Sequence, residues 1–168
     1  MLKINKGEPW IFWPNSICET FPEDAGNKIL SNKLNYTLEV DIVLTDESDL
    51  EKTLFALVPR YMGLNINPTN ISFTITFQDD VEYYTLEHIV VPNQLTNIKL
   101  NHIYKDRFEL FLNGEVILNV DLSERELGLD NSPHIIFGAG NFPKNKTNTN
   151  YTEFEFHKFK LISDGELI

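Results

Sequence analysis

Tyr36, Leu38, Val40, Ile42 and Leu44 are apolar, while Thr37, Glu39 and Asp41 between them are polar. Because successive side chains of a strand point to opposite faces, this period of two predicts a strand with one face buried. The same pattern recurs at 106–121. Phe108, Leu110 and Leu112 form one row, Asn113-Gly114 interrupts, and Val116, Leu118 and Val120 form the next. A two-residue type I′ turn needs positive φ at both central positions, which Asn tolerates and Gly adopts freely, so the stretch predicts a β-hairpin with Val116, Leu118 and Val120 on a single face.

Further strands follow from the same reading. Ile71, Phe73, Ile75 and Phe77 alternate with Ser72, Thr74 and Thr76, and Gln78-Asp79-Asp80 turns the chain into a partner strand predicted over 81–91. Strands are also predicted at 53–58, 60–66, 95–103 and 133–137, with an aromatic edge strand between Pro9 and Pro14 and a short one at Lys28, Ile29 and Leu30. In 152–162, Phe154 and Phe156 share one parity and Phe159 and Leu161 the other; a bulge near His157-Lys158 would return all four to one face. Residues 122–129 predict a single helical turn, with Ser123 as N-cap and Glu126 at capping-box spacing. About ten short strands with regular turns and no internal repeat predict an all-β, two-sheet antiparallel β-sandwich.

Length makes 1–168 one domain, with 1–33 an N-terminal strand and loop packed on it. Fourteen basic against twenty-five acidic residues give a net charge of −11, which repels phosphate backbones and argues against nucleic acid as a partner. Cys18 is the sole cysteine, so no internal disulfide forms, and twelve Phe and six Tyr must supply much of the burial. The first residues lack the apolar core of a signal peptide, and no run approaches the ~20 apolar residues that span a bilayer. The expectation is no membrane insertion; localisation is left open, since an exported protein would have had its signal removed or would travel as part of an assembly, and a homo-oligomer is compatible with either. Eighteen residues are Asn, so the Asn-x-Ser/Thr triplets read as compositional.

The ordered set of the long strand at 36–43, the strand at 53–57, the Asn-Gly hairpin at 108–115, the run at 135–140 and the closing strand at 156–161 resembles the concanavalin A-like lectin/glucanase superfamily, and within it the laminin-G-like and pentraxin-like modules. The resemblance implies a jelly roll of two curved sheets, with a concave face and rim loops that bind glycans or protein surfaces, in some members through calcium. It also raises hydrolysis. The resembling glycosidases carry Glu-x-Asp-x-Glu, or a form with one more residue before the last Glu; here Glu39 and Asp41 begin the pattern, and Val43 and Leu44 stand where the acid/base would be. A hydrocarbon cannot protonate a leaving group, so no catalytic residue is assigned.

Other chemistry is thin. His88, His102, His134 and His157 are scattered in or beside strands and read as structural. No zinc motif is present, and Asp79, Asp80 and Glu82, or Asp46, Glu47 and Asp49, could offer oxygen to calcium without following a calcium-loop pattern, so no metal site and no cofactor are expected. Sugars are held by aromatic faces and by Asn, Asp or Glu on rim loops. The loop at 138–151 supplies Asn141, Phe142, Asn148 and Tyr151, and Tyr84 and His88, next to Tyr83 and Glu87, form a second cluster. The reading is a non-catalytic, lectin-like module that binds glycan through its rim loops and concave sheet. The first alternative is a structural or assembly protein, such as a virion decoration or fibre domain, using the same fold for protein contacts. The second is a glycoside hydrolase with an unrecognised site.

Overall fold

The computed structural model describes residues 2–12, 33–58, 62–128, 134–140 and 151–163. Among these the chain forms strands β1 (Leu2–Ile4), β2 (Trp10–Phe12), β3 (Tyr36–Leu44), β4 (Lys52–Val58), β5 (Met62–Ile66), β6 (Ile71–Thr76), β7 (Val81–Leu86), β8 (Leu95–Ile103), β9 (Arg107–Leu112), β10 (Glu115–Asp121), β11 (His134–Phe137) and β12 (Phe154–Ser163), and no helix. They build two six-stranded sheets, ordered β1-β12-β3-β8-β9-β10 and β2-β11-β4-β5-β6-β7. Every pairing is antiparallel, and the architecture is the predicted β-sandwich.

Aromatic rings join the sheets. Phe73 of β6 stacks on Phe108 of β9 at 5.6 Å between centroids, and Phe137 of β11 meets Phe156 of β12 edge-on at 4.8 Å. Trp10 stacks on Phe137 at 5.5 Å and meets Phe156 and Phe159, each at 5.6 Å, as its apolar neighbours suggest. The predicted bulge is present: Phe156 pairs with Ile42 and Lys158 with Asp41, so His157 is the extra residue and Phe154, Phe156, Phe159 and Leu161 all point inward. A second small cluster of Ala56, Ile136 and Ala139, with Ile11 and Tyr151 against it, lies on the opposite face of the second sheet.

Four expectations need correction or lie elsewhere. Ile117 is a bulge in β10, which places Val116 opposite Phe111 and 44% exposed while Leu118 lies opposite Leu110; the three-residue row is therefore broken at its first member. The strand predicted to run to Val91 stops at Leu86, because the chain there leaves the sheet and the Asn93 N–H donates to Leu44 O at 2.8 Å. In place of the helical turn, residues 122–128 bend once at Ser123 and Glu124, where the Arg125 N–H donates to Leu122 O at 3.4 Å, and then run as a strap over the end of β6. Gln78 N–H donates to Glu126 O, Gly128 N–H donates to Thr76 O at 2.7 Å, and Leu127 bridges Phe77. A Cβ at Gly128 would sit 2.7 Å from Phe77 O, so glycine permits this approach. The strand proposed at 28–30, together with Trp13 and Cys18, lies outside the described residues.

His102 is 1% exposed, its Nδ1 lies 2.7 Å from Leu34 O, and its ring sits 5.0 Å from Tyr36. Burial holds its pKa below the ordinary 6.5, against the opposing pull of the Leu34 carbonyl. The unfolded chain therefore takes up the proton first, so stability is full above pH 6.5 and is lost as pH falls through that value. Urea unfolding between pH 7.5 and 5.5 should show this decline, and His102→Gln should flatten it. At the hairpin tip Gly114 has φ +81° and a Cβ there would meet nothing within 4 Å, so Gly114→Val adds backbone strain alone. The expected loss is about 1–2 kcal/mol, read from the urea midpoint.

Candidate functional site

Burying Leu38, Val40 and Ile42 of β3 turns Thr37, Glu39 and Asp41 outward, and register carries that choice across the first sheet. Lys160, Glu39, Lys99, Phe111 and Val116 make one outward row over five strands. Lys158, Asp41 and Asn97 make the next, and Ile162, Thr37, Asn101, Glu109 and Asn119 the row on the other side. Rows are two residues apart along each strand, and neighbouring strands are ~4.8 Å apart. A polar field thus lies beside one aromatic ring.

Its side chains hold one another in place. The Asn97 side-chain amide donates to Glu39 Oε1 at 2.9 Å and to Asp41 Oδ1 at 2.7 Å. Lys158 Nζ lies 3.5 Å from Glu39, and the Asn97 hydrogen bond, followed by Lys158, holds the Glu39 carboxyl below its ordinary pKa despite partial burial. Thr37 donates to Asn101 Oδ1 at 3.1 Å, Asn101 donates to Glu109 at 3.0 Å, and Arg107 Nε donates to Glu109 at 3.1 Å. Lys99 Nζ sits 4.0 Å from the centre of the Phe111 ring. Carboxylates fixed by amide donors present acceptors in set directions, which suits hydroxyl recognition. Val43 takes the next outward position after Asp41.

Of the residues predicted from sequence, the described ones are Tyr84, His88 and Tyr151. Tyr84 lies opposite Phe73 on β7, packs partly on the core and donates its hydroxyl to Glu82. Burial and the Glu82 carboxylate raise its pKa to about 12. Glu82 also receives Arg125 at 2.7 Å, and that guanidinium lies 3.5 Å over the Phe77 ring. Tyr83, adjacent in sequence, faces the other way and is 78% exposed, so the two tyrosines do not form one cluster. His88 is half-buried two residues beyond β7. Tyr151 packs at Ile136 of β11, four strand spacings from Tyr84, or roughly 19 Å. Asn141, Phe142 and Asn148 lie outside the described residues. Asn97, Lys99, Asn101, Glu109 and Phe111 were not predicted as site residues. The signal for them was the parity of β8 and β9, whose register follows from the turn at 104–106, closed by the Asp106 N–H donating to Ile103 O at 3.0 Å.

The acidic turns are engaged locally. Burial raises the Asp46 pKa, yet hydrogen bonds from Ser48 and the Lys52 ammonium outweigh it and leave the carboxyl below its ordinary value. Asp80 accepts the Val81 N–H at 2.7 Å. Among the described residues no group of three or more His, Cys, Asp or Glu is placed to hold a metal.

No protein-family model and no curated protein sequence matches the chain. Solved structures do. The botulinum neurotoxin serotype D binding domain superposes with a TM-score of 0.64 at 16% identity, over 99% of this chain and 39% of that one. The serotype G binding domain gives 0.55 at 12% identity, over 99% and 42%. The serotype D ligand-binding domain in complex with N-acetylneuraminic acid gives 0.55 at 15%, over 96% and 44%. The chain thus spans about two fifths of the length of these binding domains, and at such identity the likeness is one of fold.

Asn97→Ala should raise the Glu39 pKa toward 4.5, as followed by carboxyl NMR titration. It should also cost on the order of 1 kcal/mol at neutral pH, because two neighbouring carboxylates lose a shared donor.

Proposed function

We propose that the chain is a non-catalytic carbohydrate-binding module of the concanavalin A-like jelly-roll type. It meets glycan with the outer face of the first sheet, which takes the part of the concave face in that superfamily. The observation that carries this reading is the outward row in which the Asn97-braced Glu39, then Lys99, then the Phe111 ring follow one another on β3, β8 and β9, with Asp41 in the next row. A sugar offers a C–H face to an aromatic ring and hydroxyl donors to carboxylates, and this field supplies both kinds of partner on one sheet face, two strand spacings or roughly 10 Å apart. The serotype D ligand-binding domain in complex with N-acetylneuraminic acid, which shares this fold, supports glycan as the ligand class. No metal enters the reading, since hydroxyls are met by protein oxygens and amides directly.

The competing placement is the rim, with Tyr84 and His88 on one part and Asn141, Phe142, Asn148 and Tyr151 on another. A protein-contact role draws on exposed aliphatic residues, Leu50 at 67%, Ile89 at 49% and Leu95 at 62%.

A glycan array probed with the purified protein, once with calcium and once with chelator, tests the reading. Dose-dependent signal in one sugar class is expected in both conditions, and Asn97→Ala and Phe111→Ala should each lower it at least tenfold while Tyr84→Ala and Phe142→Ala leave it within twofold. Loss confined to the last two variants would move the site to the rim. Loss of signal in chelator would establish a metal, and a blank array with a dimer in native mass measurement would favour protein contacts.

A further inference from the structure

The connection between β3 and β4, residues 45–51, and that between β7 and β8, residues 87–94, are tied together at one end of the sandwich. Asn93 N–H donates to Leu44 O at 2.8 Å, and the Asn93 side-chain amide donates to Glu47 Oε1 at 2.6 Å. Between these segments and the turn at Asn67 and Pro68 lies a cleft of about 240 Å³. Ile66, Pro68, Ile89 and Val91 give it aliphatic walls, and Ile89 and Val91 are 49% and 37% exposed. Water gains no hydrogen bonds from such walls, so displacing it by hydrocarbon is favourable.

The charged residues of the lining are not equivalent. Lys52 Nζ lies 3.3 Å from Asp46 Oδ1 and donates to Asp46 O at 2.9 Å, with both side chains less than a tenth exposed. Lys6 adds a second cation 3.8 Å from Asp46 Oδ2. The ammonium in the lining is therefore already committed and offers nothing to an anion. Glu47 and Asp49 also line the cleft, are exposed, and have no cation within ion-pair reach among the described residues. A polyhydroxylated sugar would place hydroxyls against hydrocarbon here, and an anion would face the carboxylates of Asp49 and of Glu47, the latter bonded to the neutral Asn93 amide and to no cation among the described residues.

We propose that this cleft binds an aliphatic ammonium group, the hydrocarbon against Ile66, Ile89 and Val91 and the cation at Glu47 and Asp49. Its volume is below the ~300–1,000 Å³ of pockets for drug-sized ligands, so the occupant has the size of one side chain or a small amine. The site is separate from the sheet face of the sugar-binding reading and stands or falls independently of it. A free amine and a lysine side chain beside an apolar residue share this chemistry.

The test is a titration of protein carrying isotope-labelled Ile, Leu and Val methyl groups, followed by NMR. Three probes share one branched skeleton: 3-methylbutylammonium, 3-methylbutan-1-ol and 3-methylbutanoate. Acetyl-leucyl-lysine amide represents the peptide source. Saturable shifts at the Ile66, Ile89 and Val91 methyls are expected for a cationic probe, at about fivefold lower concentration than for the alcohol, and none for the carboxylate. Glu47→Gln with Asp49→Asn, both at exposed positions, should abolish the difference between amine and alcohol while leaving the alcohol's response in place. Saturation by the free amine alone assigns a small-molecule source, and tighter saturation by the dipeptide assigns a polypeptide. Equal response to amine, alcohol and carboxylate, or no saturable shift at these methyls for either cationic probe, would overturn the proposal.

Discussion

The contact between the inner faces of the two sheets is what the remainder of the structure rests on. Phe73 against Phe108, and Phe137 against Phe156, lock β6 to β9 and β11 to β12 across the sandwich, with Trp10 closing one side of the aromatic group. Each fully buried ring of this kind contributes on the order of 1.5–3 kcal/mol relative to exposure. The rings also prescribe direction. Once Phe108 and Phe156 point inward, every odd neighbour along β9 and β12 must point outward until a bulge intervenes.

The polar face of the first sheet is the other half of that constraint. Glu39 and Asp41 are outward because Leu38, Val40 and Ile42 are inward, and Asn97 stands opposite Asp41 because Ile98 stands opposite Val40. Asn113 reinforces the alignment where the hairpin meets β8. Its N–H donates to Asn97 O at 2.8 Å and its side chain accepts the Asn97 N–H at 2.9 Å. The turn residue that reverses the chain thus also anchors the backbone of the residue that braces the carboxylates. Core packing and surface chemistry are linked through register, and a slip of one residue would exchange them.

The ends of the sandwich obey a different rule. Where strands stop, backbone groups must still find partners, and the strap at 122–128 and the segment at 87–94 do so by docking on neighbouring turns. Arg125 fixes the strap by lying over Phe77 and pairing with Glu82, which in turn accepts the Tyr84 hydroxyl. Tyr84 is in this way drawn into a structural network. The segment at 87–94 leaves aliphatic side chains at the mouth of a cleft, since docking of its backbone dictates where they go.

Strand identity, the type I′ turn and the bulge at His157 were legible in the chain alone because each depends on side-chain periodicity or on the φ preference of one residue. Periodicity is local and survives without knowledge of partners. The strand β1, the bulge at Ile117, the end of β7 at Leu86 and the strap in place of a helical turn were decided only by tertiary pairing: each depends on which backbone edge lies alongside. The polar face follows the same division. Glu39 and Asp41 could be placed on one side of a strand from their spacing, whereas their meeting with Asn97 and the place of Phe111 two strands along the same row as Glu39 required the order of strands in the sheet, which no local pattern specifies.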